Sequence, residues 1–227
     1  MNYPYENLEN FTLNNLLNRS IELYNSQAVL SKLEEEPMTY KSLGENVSTM
    51  VALLQSHGIT KGDKVALLSE NSPNWAVAYF SVTYFGAVIV PILPDFHTSE
   101  VHHIIRHSEA KAIFVSQKHQ ATIEEFENSA LCLAIKLDDL TIINELTNHS
   151  YLKKIKQKIH TKKEQTIPSE DDIAAILYTS GTTGNSKGVM LSHKNLVTNT
   201  LSTHSKIKIL PSDVFLSILP LAHTLDC

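Results

Sequence analysis

The sequence has little of what stabilises secreted proteins or anchors membrane proteins. Its 227 residues include only two cysteines, Cys132 and Cys227, which lie far apart. That spacing argues against a disulfide framework and a cysteine zinc site, and it favours a reducing cytoplasm. No apolar run approaches the ~20 residues that cross a bilayer, and the N-terminus has no basic segment followed by an apolar core. We therefore expect a chain that is neither exported nor membrane-spanning.

Positive charge is also scarce, since the formal net charge is −5. This balance argues against a general nucleic-acid binder, and any phosphate ligand must be held locally. The hydrophobic content of 42% is enough for a substantial core. The length therefore suits one large α/β domain or two smaller lobes.

Glycine is scarce as well, and three of the seven glycines fall within residues 178–193, which read YTSGTTGNSKGVMLSH. Glycine reaches positive φ and lets main-chain amides crowd around an anion. Hydroxyl groups add further donors, and one lysine adds a compact positive charge. The stretch is predicted to be a phosphate-binding loop with these polar and glycine residues: Thr179, Ser180, Gly181, Thr182, Thr183, Gly184, Ser186, Lys187 and Gly188.

This loop differs from the P-loop of NTPases, in which the lysine opens a helix. Lys187 is followed by Gly188 and the apolar residues 189–191, which predict a strand, and Ser192 then caps a helix. A loop between two strands implies an anion nest of turn amides and hydroxyls, without a helix dipole. No GxGxxG motif opens a helix after a strand. No GxSxG nucleophile elbow is predicted either, because GNSKG at residues 184–188 leads into a predicted strand rather than a helix, so dinucleotide binding and serine hydrolysis lose their usual signals. A flexible surface turn is the simpler alternative, and the flanking apolar runs disfavour it.

Apolar runs and amphipathic segments alternate along the chain, which predicts a mainly parallel sheet with helices on both faces. An acidic hairpin tip is predicted at residues 34–36. Helices are predicted to begin at Thr12, at Ser72 and at Thr98 or Ser99; another is predicted to end at Gly58, and a further one lies near Ile123. Strands are predicted at 65–68, 87–90 (closed by Pro91), 112–115, 131–137 and 173–177.

Residues 166–172, which read TIPSEDD, are polar and give the best lobe boundary. We predict a first α/β lobe over 1–165 and the start of a second lobe, carrying the phosphate loop, over 166–227. Just before the boundary, residues 148–163 predict a lysine-rich amphipathic helix. Such a helix can lie on an anionic membrane or face water, and the solvated face is the commoner outcome.

Some histidines and aromatic residues are candidates for a metal site or for the core. His103 and His107 form an i, i+4 pair that could bind a metal, but no cysteine or HExxH pattern supports it, so exposed helix histidines are favoured. His193 is expected at the start of the helix after the loop. Trp75 and Tyr79 have the spacing of helix packing and are expected in the core.

The stretch YTSGTTGNSKGVMLSH closely resembles the phosphate-loop motif of the adenylate-forming superfamily, which includes acyl-CoA synthetases, peptide-synthetase adenylation domains and firefly luciferase. Three further stretches match in the family's order: PMTYKSLGENV, FGAVIVPILP and LPLAHTLDC. The LPLAHT and NSKGVMLSH sequences most resemble those of long-chain fatty acyl-CoA ligases.

The resemblance implies that a carboxylate reacts with ATP to give an acyl-adenylate and pyrophosphate, and that the acyl group then passes to the thiol of coenzyme A. It implies that Lys187 neutralises the departing pyrophosphate and that His223 orients the attacking carboxylate. Asp226 stands where many long-chain members have glutamate. The β- and γ-phosphates would be held by Thr179, Ser180, Gly181, Thr182, Thr183 and Gly184.

Full-length relatives are more than twice as long, so the resemblance also implies an N-terminal fragment that is inactive alone. The ligand of Mg²⁺ is then expected beyond Cys227. The expected substrates are a fatty acid, ATP and CoA, and the expected location is the cytoplasm, with peripheral membrane contact as an option. Adenylation of an aryl or amino acid and a non-catalytic nucleotide-binding module are the alternatives. Acyl chain length and oligomeric state stay open.

Overall fold

Short strands and helices alternate along the chain as predicted. The computed structural model describes residues 8–126, 131–144, 167–179, 186–206, 209–210 and 213–223. Their elements are, in chain order, α1 (Leu13–Tyr24), β1 (Ala28–Leu30), β2 (Met38–Thr39), α2 (Tyr40–Ser56), β3 (Lys64–Leu68), α3 (Pro73–Tyr84), β4 (Val88–Ile92), α4 (Thr98–Ser108), β5 (Ala112–Val115), a 3-10 turn (Gln117–His119), α5 (Gln120–Glu124), β6 (Leu133–Lys136), β7 (Thr141–Ile142), β8 (Ile173–Thr179), β9 (Lys187–Ser192) and α6 (His193–Lys206).

Seven of the strands form one sheet in the order β7-β6-β5-β3-β4-β8-β9. The five inner strands are parallel, and β7 and β9 join them antiparallel at the two edges. β1 and β2 form a separate antiparallel pair, as predicted for the hairpin with the acidic tip. The predicted α/β fold with a mainly parallel sheet is confirmed.

Helices cover both faces of this sheet. Because side chains of successive strand residues point to opposite faces, an inner strand such as β3 contributes to two separate clusters. Val65 and Leu67 of β3 pack in a cluster with buried residues of α1, α2 and α3, including Trp75. Ala66 and Leu68 pack in a second cluster with buried residues of α4 and α5. The core prediction for Trp75 is confirmed, and so is that for Tyr79, which belongs to the first cluster.

The strands that follow the predicted lobe boundary continue the same sheet. β8 pairs in parallel with β4, with Ile89 opposite Ala175, and β9 pairs with β8. The division into lobes at residues 165 and 166 therefore stays a prediction, and no second sheet is formed by the described strands beyond it. The predicted lysine-rich helix at 148–163 lies outside the described residues.

The predicted end of β4 at residue 90 was wrong, because the strand runs through Pro91 to Ile92. The amide of Val88 donates to Asp63, at the β3 side. Amides alternate in direction along a strand, so the N–H that Pro91 lacks would face β8 rather than β3. β4 pairs with β8 at Ile89 and Ala175, and Pro91 therefore removes no hydrogen bond from the β3–β4 ladder.

Helix starts follow the predicted caps with one exception. The Ser72 hydroxyl accepts from the amide of Trp75 at 3.2 Å, and Ser192 does the same for Asn195 at 3.2 Å. For α4, however, Thr98 is the first helical residue and His97 is the N-cap. Glu100 reaches back to accept from the His97 amide at 3.3 Å, so the acidic residue in the first turn decided the start.

The predicted end of α2 is confirmed, since Gly58 has a φ of 82° just after the helix. Among the helices within the described ranges, none is both long enough and apolar enough to cross a membrane.

Candidate functional site

The predicted phosphate loop connects β8 and β9, which form an antiparallel hairpin. Thr179 and Lys187 face each other in the last described pair, and both side chains are exposed. The two flanking strands expected from the sequence are thereby confirmed. The predicted loop residues Ser180, Gly181, Thr182, Thr183 and Gly184 lie outside the described residues.

The loop leaves the sheet at the carboxyl edge, where the parallel strands end. β8 runs parallel to β4, and β4 runs parallel to β3 with Ile92 opposite Leu68. In open α/β sheets, ligands bind in the crevice outside this edge. The hydroxyl of Thr179 and the ammonium of Lys187 therefore stand where a phosphate ligand would be expected.

Gly188 is needed for close packing, at a position directly opposite Tyr178. A Cβ added at Gly188 would lie 2.8 Å from Cγ2 of Ile176 and 3.2 Å from Cζ of Tyr178. The phenol ring thus covers the glycine backbone one residue beyond Lys187. A larger residue at Gly188 would displace this ring and disturb the base of the loop.

The Tyr178 hydroxyl is tied to α4, because it lies 2.7 Å from Nδ1 of His107. Burial raises the pKa of Tyr178 above its ordinary value, so the phenol keeps its proton at neutral pH. The rings of His103 and His107 are 5.5 Å apart, as the i, i+4 spacing predicts. The hydrogen bond between Nδ1 of His107 and the Tyr178 hydroxyl supports a structural role for His107. No group of three or more metal-binding side chains occurs in the part of the chain that the structure describes.

His193 begins α6, as predicted, but its burial and its contact were not foreseen. The imidazole is fully buried, and its Nδ1 accepts a hydrogen bond from the amide of Leu13 at 3.2 Å. Burial lowers the pKa of His193 to about 4, although the nearby Asp172 carboxylate acts in the opposite direction. Its Nε2 is buried and has no hydrogen-bond partner among the described residues. The neutral ring therefore joins the start of α1 to the end of β9.

Ion pairs strengthen the same junction at the base of the hairpin. Glu170 accepts from the amide of Phe11 at 2.9 Å and pairs with Lys194 at 3.3 Å. Lys61 pairs with Asp172 at 2.5 Å. The segment before β8 and the start of α6 are thus both fixed to the N-terminal part of the chain, which leaves the opposite end of the hairpin to carry the loop.

A cavity of about 430 Å³ opens at the carboxyl ends of β3, β5 and β6. Glu70 lies in its wall, 2.5 Å from Nζ of Lys118, 3.1 Å from Nε2 of His119 and 3.1 Å from the Ser116 hydroxyl. Burial by itself would raise the pKa of Glu70, but the hydrogen bonds from Lys118 and Ser116 outweigh it and lower the pKa to about 2. The carboxylate is therefore charged at neutral pH.

His223, the other predicted catalytic residue, lies in an exposed part of residues 213–223. The carboxamide of Asn71 makes three hydrogen bonds to this segment, to Ser217, Leu219 and Leu221. Sequence reasoning passed over Asn71. The available signal was its place in a polar run, SENSPN, directly after a buried strand.

A protein-family model described as "AMP-binding enzyme" matches residues 19–227. The chain belongs to the AMP-binding enzyme family. Long chain acyl-CoA synthetase 7, peroxisomal, of Arabidopsis thaliana is 32% identical over 195 residues, which cover 82% of this chain and 28% of that protein. Crotonobetaine/carnitine–CoA ligase of Proteus sp. (strain LE138) is 30% identical over 201 residues, covering 83% of this chain and 37% of that protein.

Among solved structures, ATP-bound MatB from Rhodopseudomonas palustris is similar, with a TM-score of 0.76 and 26% identity. The match covers 96% of this chain and 42% of that chain. Members of the AMP-binding family use ATP and CoA, and the expected adenylate-forming acyl- or aryl-CoA ligase family is confirmed. The chain spans 28% and 37% of the lengths of these two curated relatives.

Proposed function

We propose that this chain is the N-terminal part of an AMP-forming ligase that joins a long-chain fatty acid to CoA. A carboxylate oxygen attacks the α-phosphorus of ATP, and pyrophosphate leaves. The CoA thiol then attacks the acyl carbon of the adenylate, and AMP leaves. The observation that carries the proposal is the loop of glycine and hydroxyl residues, held by an antiparallel hairpin at the carboxyl edge of the sheet.

Residue roles follow from the chemistry of the departing pyrophosphate. Its charge grows as the bond to the α-phosphorus breaks, so donors held in place around it stabilise the transition state. Lys187 supplies a compact positive charge, and its exposure leaves the ammonium free to meet a ligand. His223 would orient the attacking carboxylate. The β- and γ-phosphates would be held by Thr179, Ser180, Gly181, Thr182, Thr183 and Gly184.

The long-chain substrate rests on the LPLAHT and NSKGVMLSH stretches and on the similarity to the Arabidopsis synthetase. The second candidate is adenylation of a different acid. It is favoured by the comparable identity, 30%, of the ligase that is named for crotonobetaine and carnitine. A chain that covers about a third of such relatives would carry few of the residues that select the acyl group.

The 227-residue chain is expected to be inactive by itself and to bind ATP weakly at best. The ligand of Mg²⁺ would come from residues beyond Cys227, and we place the complete ligase in the cytoplasm, with peripheral membrane contact still open. A non-catalytic nucleotide-binding module is the remaining alternative. Detection of acyl-adenylate made by the 227-residue chain would contradict both the expected inactivity and this alternative.

The decisive experiment measures exchange of labelled pyrophosphate into ATP by a protein that continues beyond Cys227. The acid panel contains fatty acids of several chain lengths, an aryl acid, carnitine and amino acids. We expect exchange that depends on a fatty acid and rises with chain length. Exchange with another acid alone would support the second candidate, and no exchange with any acid would contradict a ligase altogether.

A further inference from the structure

Asn71 lies between two well-packed elements of the molecule. It follows β3, whose last residue Leu68 is fully buried, and precedes Ser72, which caps α3. The backbone at this position is therefore held between a central strand and a buried helix. A side chain mounted here can serve as a fixed reference for a segment that packs less well.

All the polar atoms of the Asn71 carboxamide bind one distant segment. Its Nδ2 donates to Oγ of Ser217 at 2.9 Å and to the carbonyl of Leu219 at 2.7 Å. Its Oδ1 accepts from the amide of Leu221 at 2.8 Å. Because the carboxamide both donates to this segment and accepts from it, the carboxamide fixes the position and the direction of the segment.

The segment has few apolar contacts to hold it by itself. Four of its large apolar side chains are 70–95% exposed: Val214, Phe215, Leu216 and Ile218. Leu221 packs against the core, and Ala222 is buried. Hydrogen bonds to Asn71 therefore contribute to the placement of the residues just before His223.

The tether brings this segment to the edge that carries the predicted phosphate loop. β3, β4 and β8 are neighbouring parallel strands, so Asn71 and Thr179 leave the sheet at the same edge. Two strand spacings separate them sideways by about 10 Å. We infer that Asn71 is a positioning residue, which holds the segment from Ser217 to His223 at this edge and so sets where His223 meets the carboxylate. The last step rests on the proposed function.

The tether itself is tested in the 227-residue chain by amide-resolved hydrogen exchange. Asn71→Ala should speed exchange at Leu221 by about tenfold, as expected for the loss of the partly buried hydrogen bond that protects this amide. Asn71→Asp keeps the acceptor oxygen, so it should restore protection at Leu221 when the carboxylate is ionised. Asn74→Ala is the matched control, because the Asn74 amide donates instead to the carbonyls of Leu137 and Asp138.

Unchanged exchange at Leu221 in Asn71→Ala would overturn the inference, as would an equal acceleration in Asn74→Ala. Unfolding midpoints of all three variants are measured in parallel, so that global destabilisation is recognised as uniform acceleration across β3–β6. Acceleration confined to the segment supports the tether.

The functional part is tested in the protein that continues beyond Cys227, by pyrophosphate exchange. Asn71→Ala should raise the KM for the carboxylate by about tenfold and the KM for ATP by less than about twofold, since the loop that holds ATP is untouched. Equal rises in both KM values, or the same values in Asn74→Ala, would overturn the positioning role. If the unsubstituted protein shows no exchange, the proposed function fails, while hydrogen exchange at Leu221 still decides whether Asn71 holds the segment.

Discussion

β3 and β9 belong to one sheet but have opposite roles. In β3, every residue after Lys64 is fully buried, and partner strands lie on both sides. In β9, four of the six residues are exposed, and the strand lies at the edge of the sheet. The chain thus places its stability in the middle of the sheet. It leaves the side chains with phosphate chemistry at an edge where a ligand has access.

The largest effect should come from emptying the centre of the sheet. Phe114 of β5 is fully buried, whereas Met190 of β9 is 66% exposed. Phe114→Ala should lower the free energy of unfolding by about 3–5 kcal/mol, and Met190→Ala should change it by less than about 0.5 kcal/mol. Denaturant titration measures both. Similar losses in the two variants would contradict the division between core and edge.

The next largest effect should be on the rate of the reaction and not on stability. Lys187→Ala in the longer protein should slow pyrophosphate exchange by about 10²-fold, because the charge of the departing group loses a fixed partner. Unfolding should be almost unchanged, since Lys187 is exposed. Lys41→Ala is the control, a lysine with a side chain that is 63% exposed and a 3.9 Å ion pair within α2. An equal loss of exchange in the control would contradict the assignment.

A smaller effect distinguishes two glycines. Gly188→Ala places a methyl group 2.8 Å from Cγ2 of Ile176, a branched and poorly movable group, so we expect a loss of about 1–3 kcal/mol. Gly44→Ala in α2 meets only Cδ1 of Ile21, the flexible end of a side chain, at 2.7 Å. Alanine also favours the helix there, so the variant should be neutral or slightly more stable. Denaturant titration of the two variants tests the contrast.

The last contrast is the pH dependence contributed by His193. Its pKa falls from 6.5 to about 4 on folding, so between these values the unfolded chain binds the extra proton. Stability is full above pH 6.5 and should fall by up to about 1.4 kcal/mol per pH unit as the pH drops towards 4. His193→Asn should flatten this slope between pH 6.5 and 5. An unchanged slope would show that the imidazole is not held neutral.

Much of the core was predictable because parallel strands buried on both faces read as short continuous apolar runs, as at 65–68 and 112–115. The pairing partners of the strands were not predictable from the sequence. Nothing in residues 173–177 indicates that β8 joins β4, because register depends on contacts between distant segments. The choice of His97 as the N-cap of α4 depended on one hydrogen bond, which the His97 amide donates to Glu100.

For the site, the two strands that flank the loop followed from local sequence, since glycine, hydroxyl and strand patterns are all short-range. The contacts that support the site were hidden for the opposite reason. His193 bonds to Leu13, and Asn71 bonds to Leu221, across most of the chain length. A single histidine or asparagine gives no local sign of such a partner.

The most direct test of the account is an amide-resolved titration of the 227-residue chain with pyrophosphate. We predict weak binding in the millimolar range, about −4 kcal/mol, with shifts concentrated at Thr179 and residues 186–188 and lost in Lys187→Ala. The opposite edge at β7 should not respond. Shifts located elsewhere, or shifts that survive in Lys187→Ala, would contradict the claim that this hairpin is the phosphate site.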